Sequence, residues 1–139
     1  QTGVNGPRPN PIMIGFAAPL SAAEITNLTA YLSTQTALGG ETQKRLRPLG
    51  EKLYRAGDIE RHIPACAACH GPNGAGNLEA AYPKLAGQNS AYIAEQLQLF
   101  ATHQRRSDPQ NMMRDIAKRL NSDDQAALAS FIQGLRPQP

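Results

Sequence analysis

The residues with the most specific chemistry in this chain form the run Cys66-Ala-Ala-Cys69-His70, which contains both of its cysteines. Two thiols three residues apart on one helical turn can add to the two vinyl groups of one porphyrin edge. The histidine that follows then directs its imidazole at the iron. We therefore interpret this run as the attachment sequence of a c-type haem, with Cys66 and Cys69 as the covalent links and His70 as an axial ligand.

Two other uses of closely spaced cysteines agree less well with the sequence. A dithiol redox pair needs a βαβ context, and no stretch of the chain alternates as a strand would. A zinc site needs further ligands, and the two other histidines, His62 and His103, lack finger-like spacing. Zinc binding therefore stays open as the main alternative to haem attachment.

An internal repeat relates the start of the chain to its end. Residues 10–33 read NPIMIGFAAPLSAAEITNLTAYLS, and residues 110–133 read QNMMRDIAKRLNSDDQAALASFIQ. The two segments align without gaps at a constant shift of one hundred positions, so that Leu28 falls on Leu128. Only the second copy has a haem-attachment motif before it in this sequence.

The repeat also selects the second axial ligand. Met112 and Met113 both precede the last helix, and a methionine thioether can ligate haem iron. Met113 aligns with Met13, whereas Met112 aligns with an isoleucine. We therefore predict that Met113 is the ligand and that Met112 fills space in the core. A His/Met pair raises the reduction potential and leaves no open position on the iron, which argues against oxygen chemistry.

Composition limits the class of protein further. Of 139 residues, 40% are hydrophobic, 5% are aromatic and none is Trp, which is a lean supply for a core that a large apolar cofactor could supplement. The net charge of +3 is spread among acidic residues, so nucleic-acid binding is poorly supported, while docking of an acidic redox partner is compatible. The chain lacks a run of about 20 apolar residues that would predict a membrane span. It begins at Gln1 without an initiator Met, as a mature or trimmed product would.

Helical periodicity accounts for most of the chain outside the motif. Segments rich in Gly, Pro and Asn are predicted to be irregular: 1–11, 34–42 and 71–88. Helices are predicted after the Ser21–Glu24 capping box to about 33, over 43–55, from a cap at Ser90 to about 102, from near 109 or 111, and from a cap at 121 or 122 to 133. The predicted fold class is all-α, with long loops around the cofactor.

Several segments together resemble the class I cytochromes c, and more narrowly the two-domain, di-haem periplasmic cytochromes of the cytochrome c4 type. The resemblance covers essentially the whole chain. It is carried by the two methionine segments aligned above and by three runs: LGEKLYRAG (49–57), PACAACHGPNGAG (64–76) and YPKLAGQNSAYIAEQL (82–97).

This resemblance implies roles for particular residues. Pro83 is expected to offer its carbonyl to the ring N–H of His70, which sets the orientation and basicity of the imidazole. Residues 40–139 are expected to form a complete mono-haem cytochrome c domain. Residues 1–39 correspond to the methionine loop and last helix of an upstream haem domain, in which Met13 is the axial ligand of a second haem.

Three explanations of the unpaired first copy stay open. The chain is a fragment, or its first half is supplied by a separate chain or segment with which it associates, or it is a mono-haem protein whose N-terminal helix packs on the domain. We favour the first explanation, because a methionine loop and one amphipathic helix cannot bury a core of their own.

The resemblance also implies a function. A class I cytochrome c of this type is expected to be an exported, periplasmic bacterial electron carrier and not an enzyme. It would pass electrons between respiratory complexes, with a quinol-oxidising complex and a terminal oxidase as partners and with peripheral docking on membrane complexes. The alternative is a haem c subunit of a flavin dehydrogenase complex. A gas-binding haem sensor is a third class, which needs a labile sixth ligand.

Overall fold

The computed structural model describes Arg8, residues 10–35 and residues 39–136. Within these ranges the chain forms seven α-helices and no named β-strand, and only two isolated bridges, Asp58–Ile63 and Asn77–Tyr82, pair extended backbone. The predicted all-α class is therefore confirmed. The helices are α1 (Pro11–Ala17), α2 (Ala22–Ser33), α3 (Arg47–Arg55), α4 (Ala67–His70), α5 (Ser90–Ala101), α6 (Met112–Ala117) and α7 (Ser122–Gly134), with a 3₁₀ turn at Pro109–Asn111.

The core lies where α3 and α5 pack against α7. Gly50 of α3 lets the two backbones approach closely, because a Cβ at this position would lie 2.3 Å from the carbonyl oxygen of Ala127. One turn later, the rings of Tyr54 and Phe131 stack at a tilt, with their centroids 5.5 Å apart. The core is completed by apolar side chains that are at least nine-tenths buried, among them Leu53, Ile63, Ile93, Leu97, Leu120, Leu128, Ile132 and Leu135.

The helix starts agree with the sequence in part. The Ser21–Glu24 capping box is present at α2, and Asn121 caps α7 in the same way with Asp124. The cap of α5 is Asn89 and not Ser90, because the Asn89 side chain accepts hydrogen bonds from the backbone N–H groups of residues 91 and 92.

Two boundaries were predicted wrongly. Helix α3 begins at Arg47, four residues later than expected, with Pro48 in its first turn, where proline is well tolerated. Helix α1 was not predicted, since Pro11 was assigned to an irregular segment; Pro11 in fact opens α1, and Asn10 caps it. The rest of that assignment falls largely outside the described residues.

The internal repeat of the sequence is also a repeat of structure. Helices α1 and α2 follow one another as α6 and α7 do, and α2 and α7 both begin with a capping box, but the surroundings of the two pairs differ. Leu28 is 45% exposed, whereas its counterpart Leu128 is 1% exposed; Tyr31 is 63% exposed and Phe131 is 5% exposed. Helices α1 and α2 bury no residue. The first copy therefore presents as surface the apolar face that the second copy packs into the core.

Each helix in the described ranges is, by itself, too short or too polar to cross a membrane. Helices α1 and α2 satisfy the criterion only when they are taken together, and they are bent by 115° at their junction.

We predict that Gly50→Ala destabilises the fold by about 2 kcal/mol or more, because the new methyl group overpacks the contact between α3 and α7. Equilibrium denaturation of the haem-loaded protein measures this loss. Gly15→Ala is the matched control, since nothing lies within 4 Å of a Cβ at that helical glycine. Equal stability of the two variants would contradict the close approach at Gly50.

Candidate haem site

The two cysteines and the histidine of the motif lie on a single helical turn. Cys66 is the N-cap of α4, His70 is its last residue, and the His70 N–H donates to the Cys66 carbonyl over 3.0 Å. The helix ends because Gly71 adopts φ +80°, a conformation that side-chain-bearing residues rarely adopt. Both cysteines are free and half-buried. The turn thus holds both thiols and the imidazole in one short segment.

Helix α4 is too short to be stable alone and is held by contacts from other elements. The fully buried Tyr54 of α3 donates its hydroxyl to the Gly71 carbonyl over 2.7 Å. The N–H of Gly76 donates to the carbonyl of His70 over 2.9 Å. The end of α4 is therefore fixed both to α3 and to the loop that follows.

The imidazole of His70 is buried and oriented. Its Nδ1 lies 2.9 Å from the carbonyl oxygen of Pro83, which is the contact expected from the family resemblance. A carbonyl can only accept a hydrogen bond, so Nδ1 carries the proton and Nε2 keeps its lone pair. Burial lowers the pKa of His70, although the Pro83 carbonyl acts in the opposite direction. The ring is thus neutral near pH 7, as a metal ligand must be.

The loop that carries Pro83 is fixed to the chain just after the motif. The backbones of Asn77 and Tyr82 form a bridge, with mutual N–H···O contacts of 2.8 and 2.9 Å. Gly76, at φ +78°, allows this approach, since a Cβ there would lie 2.6 Å from the Tyr82 carbonyl oxygen. The position of the Pro83 carbonyl therefore follows from backbone geometry.

The segment before the motif is anchored by charge. Arg61 holds Asp124 with both terminal nitrogens, at 2.6 and 3.2 Å, and its Nε donates to Asp58 over 2.9 Å. Asp124 also belongs to the capping box of α7. Because Arg61 precedes Cys66 by five residues, this pair fixes the entry to the motif against the start of α7.

Met113 lies in a second rigid segment. It is half-buried and packs against the core, while the neighbouring Met112 is 37% exposed. The preceding loop is held by Arg114, whose backbone N–H and Nε donate to the carboxylate of Asp108 over 3.0 and 2.8 Å. The burial of Met113 agrees with its choice over Met112. The exposure of Met112 contradicts the expectation that this residue fills space in the core.

Met13 is not brought to this site. It lies in α1 and is 55% exposed, and α1 and α2 pack against none of the other described helices. Of the residues predicted for the site, the structure thus gathers Cys66, Cys69, His70 and Pro83 around one turn, sets Met113 against the same core, and leaves Met13 on the surface.

The donor set is that of haem c attachment. Burial raises the pKa of Cys66 to about 11, so this cysteine is a thiol at neutral pH and lacks the low pKa of a reactive redox dithiol. The described residues contain no group of three or more His, Cys, Asp or Glu side chains that could hold a metal ion. A zinc site needs such a group of ligands. Two thiols beside one neutral imidazole, with a half-buried thioether on the same core, match a covalent haem.

Sequence reasoning missed three of these supporting contacts. Neither the hydroxyl bond of Tyr54 nor the two ion pairs, Arg61–Asp124 and Arg114–Asp108, were predicted from the sequence. The capping-box spacing identifies Asp124 as a helix-start residue. It carries no information about an arginine 63 positions away.

Taken together, the helical fold and the thiol–imidazole turn define a domain that carries a covalently attached haem. The family model described as Cytochrome c matches residues 49–136. The chain belongs to the cytochrome c family, and its cofactor is haem c.

Within this family, the chain is similar to particular proteins. The chain is 44% identical to cytochrome c4 of Azotobacter vinelandii over 124 residues, which are 88% of this chain and 59% of that protein. It is 37% identical to a thiosulfate dehydrogenase electron acceptor of Thiomonas intermedia, over 92% of this chain and 60% of that one.

A solved structure agrees with these relatives. Reduced recombinant cytochrome c4 from Pseudomonas stutzeri superposes with a TM-score of 0.88 at 41% identity, over 93% of this chain and 68% of that one. This chain therefore spans about 60% of the length of the curated relatives it matches.

We predict that Tyr54→Phe lowers the free energy of unfolding by about 1 kcal/mol, because the carbonyl of Gly71 loses its buried donor. Urea denaturation of the haem-loaded protein measures the change. Tyr31→Phe removes a hydroxyl from a largely exposed ring and should be neutral. A Tyr54→Phe protein as stable as the Tyr31→Phe protein would show that the hydroxyl bond does not hold α4.

Proposed function

We propose that this chain is an electron carrier, and not an enzyme, which holds its haem iron between His70 and Met113. The observation that carries the proposal is the contact between His70 Nδ1 and the Pro83 carbonyl, because it leaves Nε2 free to ligate iron in a fixed orientation. The repeat, which pairs Met113 with Met13, and the half-buried position of Met113 support this residue as the second ligand.

The protein's own groups do four things in this function. Cys66 and Cys69 anchor the cofactor covalently, so that a small domain can hold it. Pro83 orients the imidazole and raises its basicity. Met113, as a thioether ligand, would favour the reduced iron and, together with His70, would leave no coordination site for a substrate. Haem c itself supplies a one-electron change of its iron.

Met113→Ala should open the iron to added ligands and lower the reduction potential by on the order of 0.1 V, a fraction of the roughly 0.8 V that axial ligands span. The measurements are the absorption spectrum with and without carbon monoxide and a redox titration. Met112→Ala is the matched control and should change neither. If Met112→Ala gave the open iron, the assignment of the ligand would be reversed.

A second haem is proposed for the intact assembly. In this proposal residues 40–139 form a complete haem domain, residues 1–39 end an upstream one, and Met13 ligates the upstream haem. The support is the exposed apolar face of α1 and α2, whose counterparts on α6 and α7 are buried against α3 and α5. An exposed apolar face of this kind needs another surface to cover it. An upstream domain with the same fold as residues 40–139 would supply that surface, as α3 and α5 do for the second copy of the repeat.

The haem content of the intact natural protein tests this. Two haems per assembly are expected, and Met13→Ala should make one of them bind carbon monoxide while the other stays closed. One haem per assembly, with a spectrum that Met13→Ala leaves unchanged, would mean that the first copy of the repeat has no cofactor.

We further propose that the protein works in the bacterial periplasm and docks transiently on respiratory complexes, a quinol-oxidising complex upstream and a terminal oxidase downstream. The mild basic excess, at a pI of about 9.1, supports docking on acidic partners.

The alternative is a haem c subunit of a dehydrogenase complex, specifically a flavin dehydrogenase. The relative named as an electron acceptor of thiosulfate dehydrogenase supports a dehydrogenase partner. Gel filtration of the native protein separates the two candidates, because stable co-elution with a dehydrogenase favours the alternative and elution alone favours the transient carrier.

A further inference from the structure

Three arginines in the described part of the chain are half-buried, and they differ in their partners. Arg61 binds Asp124 at 2.6 Å, and Arg114 binds Asp108 at 2.8 Å. Arg105 has no carboxylate partner anywhere in the described ranges. A guanidinium withdrawn from water without a direct ion pair is costly, so the environment of Arg105 needs an explanation.

The groups that Arg105 contacts directly are neutral, while the charge of Asp108, which is paired with Arg114, acts on it without an ion pair. Its Nη1 donates to the Oε1 of the buried Gln96 over 2.7 Å, its Nε donates to the Ser107 hydroxyl over 3.0 Å, and its guanidinium carbon lies 4.5 Å from the centre of the Phe100 ring. Nη2 makes no hydrogen bond among the residues described. Burial is the main reason that the pKa of Arg105 falls to about 10. The side chain is thus held in place by Nε and Nη1, while the N–H groups of Nη2 have no acceptor among the described residues.

A second guanidinium lies on the same edge of α5. Arg8 donates a hydrogen bond to the Tyr92 hydroxyl, and its guanidinium carbon lies 5.8 Å from the centre of that ring. Tyr92, Gln96 and Phe100 follow one another at intervals of four residues, so they form one stripe along the helix. The positive charge of Arg8 is close enough to contribute to the lowered pKa of Arg105. Two like charges therefore share this stripe, where an anion would relieve their repulsion.

We propose that Arg8 and Arg105 form a carboxylate-binding site along the Tyr92–Phe100 edge of α5. A planar guanidinium fork matches a carboxylate in shape and charge, and the pair offers two such groups from different segments.

One source of the carboxylate is the haem itself. Haem c carries two propionate carboxylates, and Arg105 lies in the loop that leads from α5 to Met113. This source rests on the proposed function. The other source is a free carboxylate anion from solution, and the two are separated by whether the site is already filled in the haem-loaded protein.

The test is hydrogen exchange at arginine Nε–H groups, followed by nitrogen-edited NMR on the haem-loaded protein, with and without citrate at constant ionic strength. Arg106→Gln is the matched control, because Arg106 is the next residue, is exposed and makes no hydrogen bond within the described ranges. The test variants are Arg105→Gln, which removes the charge, and Arg105→Lys, which keeps the charge and removes the fork.

The reporter is the Nε–H of Arg8, because the Nε–H of Arg105 already donates to Ser107. A slowly exchanging Arg8 Nε–H without citrate, with a shift that changes between the oxidised and reduced protein, supports the propionate source. A signal that slows only as citrate is added, and saturates, supports the free anion. In both cases this response of the Arg8 Nε–H is lost in Arg105→Gln, is weak in Arg105→Lys and is intact in Arg106→Gln.

Arg8 exchange that citrate and redox state leave unchanged, or an Arg8 response that survives in Arg105→Gln, overturns the site. A protein that lacks the haem spectrum altogether instead refutes the proposed function, so the two failures are distinct.

Discussion

The structure depends on keeping one four-residue helical turn in place, because that turn carries both thiols and the imidazole. A turn of this length has no stability of its own, since nucleating a helix fixes several dihedral angles for a single hydrogen bond. Every neighbouring element contributes to it: Tyr54 from α3, the Gly76–Pro83 loop, and Arg61 through the start of α7. The packing of α3 on α7 is therefore part of the haem site as well as of the core.

Charge has a positional role in this small fold. Asp124 is 2% exposed and has two roles, as the partner of Asn121 in the capping box of α7 and as the partner of Arg61. Asp108 and Arg114 fix the loop before Met113 in the same way. Breaking one member of such a pair leaves a buried charge without compensation, which costs far more than an exposed ion pair contributes. The loops on both sides of the site are thus specified by buried ion pairs as well as by apolar packing.

Much of this arrangement could be predicted from the sequence, and the remainder has physical reasons. The motif, the helical class and the cap of α2 depend on neighbours within a few residues, so local patterns identify them. The role of Met113 rests on the repeat, because composition alone does not separate it from Met112. The Arg61–Asp124 pair joins positions 63 residues apart, and the Arg105 environment arises only when the loop after α5 folds back on Gln96. Such contacts depend on tertiary geometry that a single sequence does not encode locally. Helix α1 was missed because residues 1–11, which contain three prolines, were predicted to be irregular, although proline is well accommodated in a first turn.

The lack of buried side chains in α1 and α2 has a consequence for the way the chain opens. Local unfolding of a segment costs little when few contacts are lost, so the backbone amides of α2 should be deprotected by fluctuations far smaller than those that open α7. Helices α2 and α7 both begin with a capping box, yet the protection of their amides from hydrogen exchange would then differ by orders of magnitude. Near-identical sequence patterns can in this way belong to separate cooperative units, because the energy that holds a helix comes from what covers it.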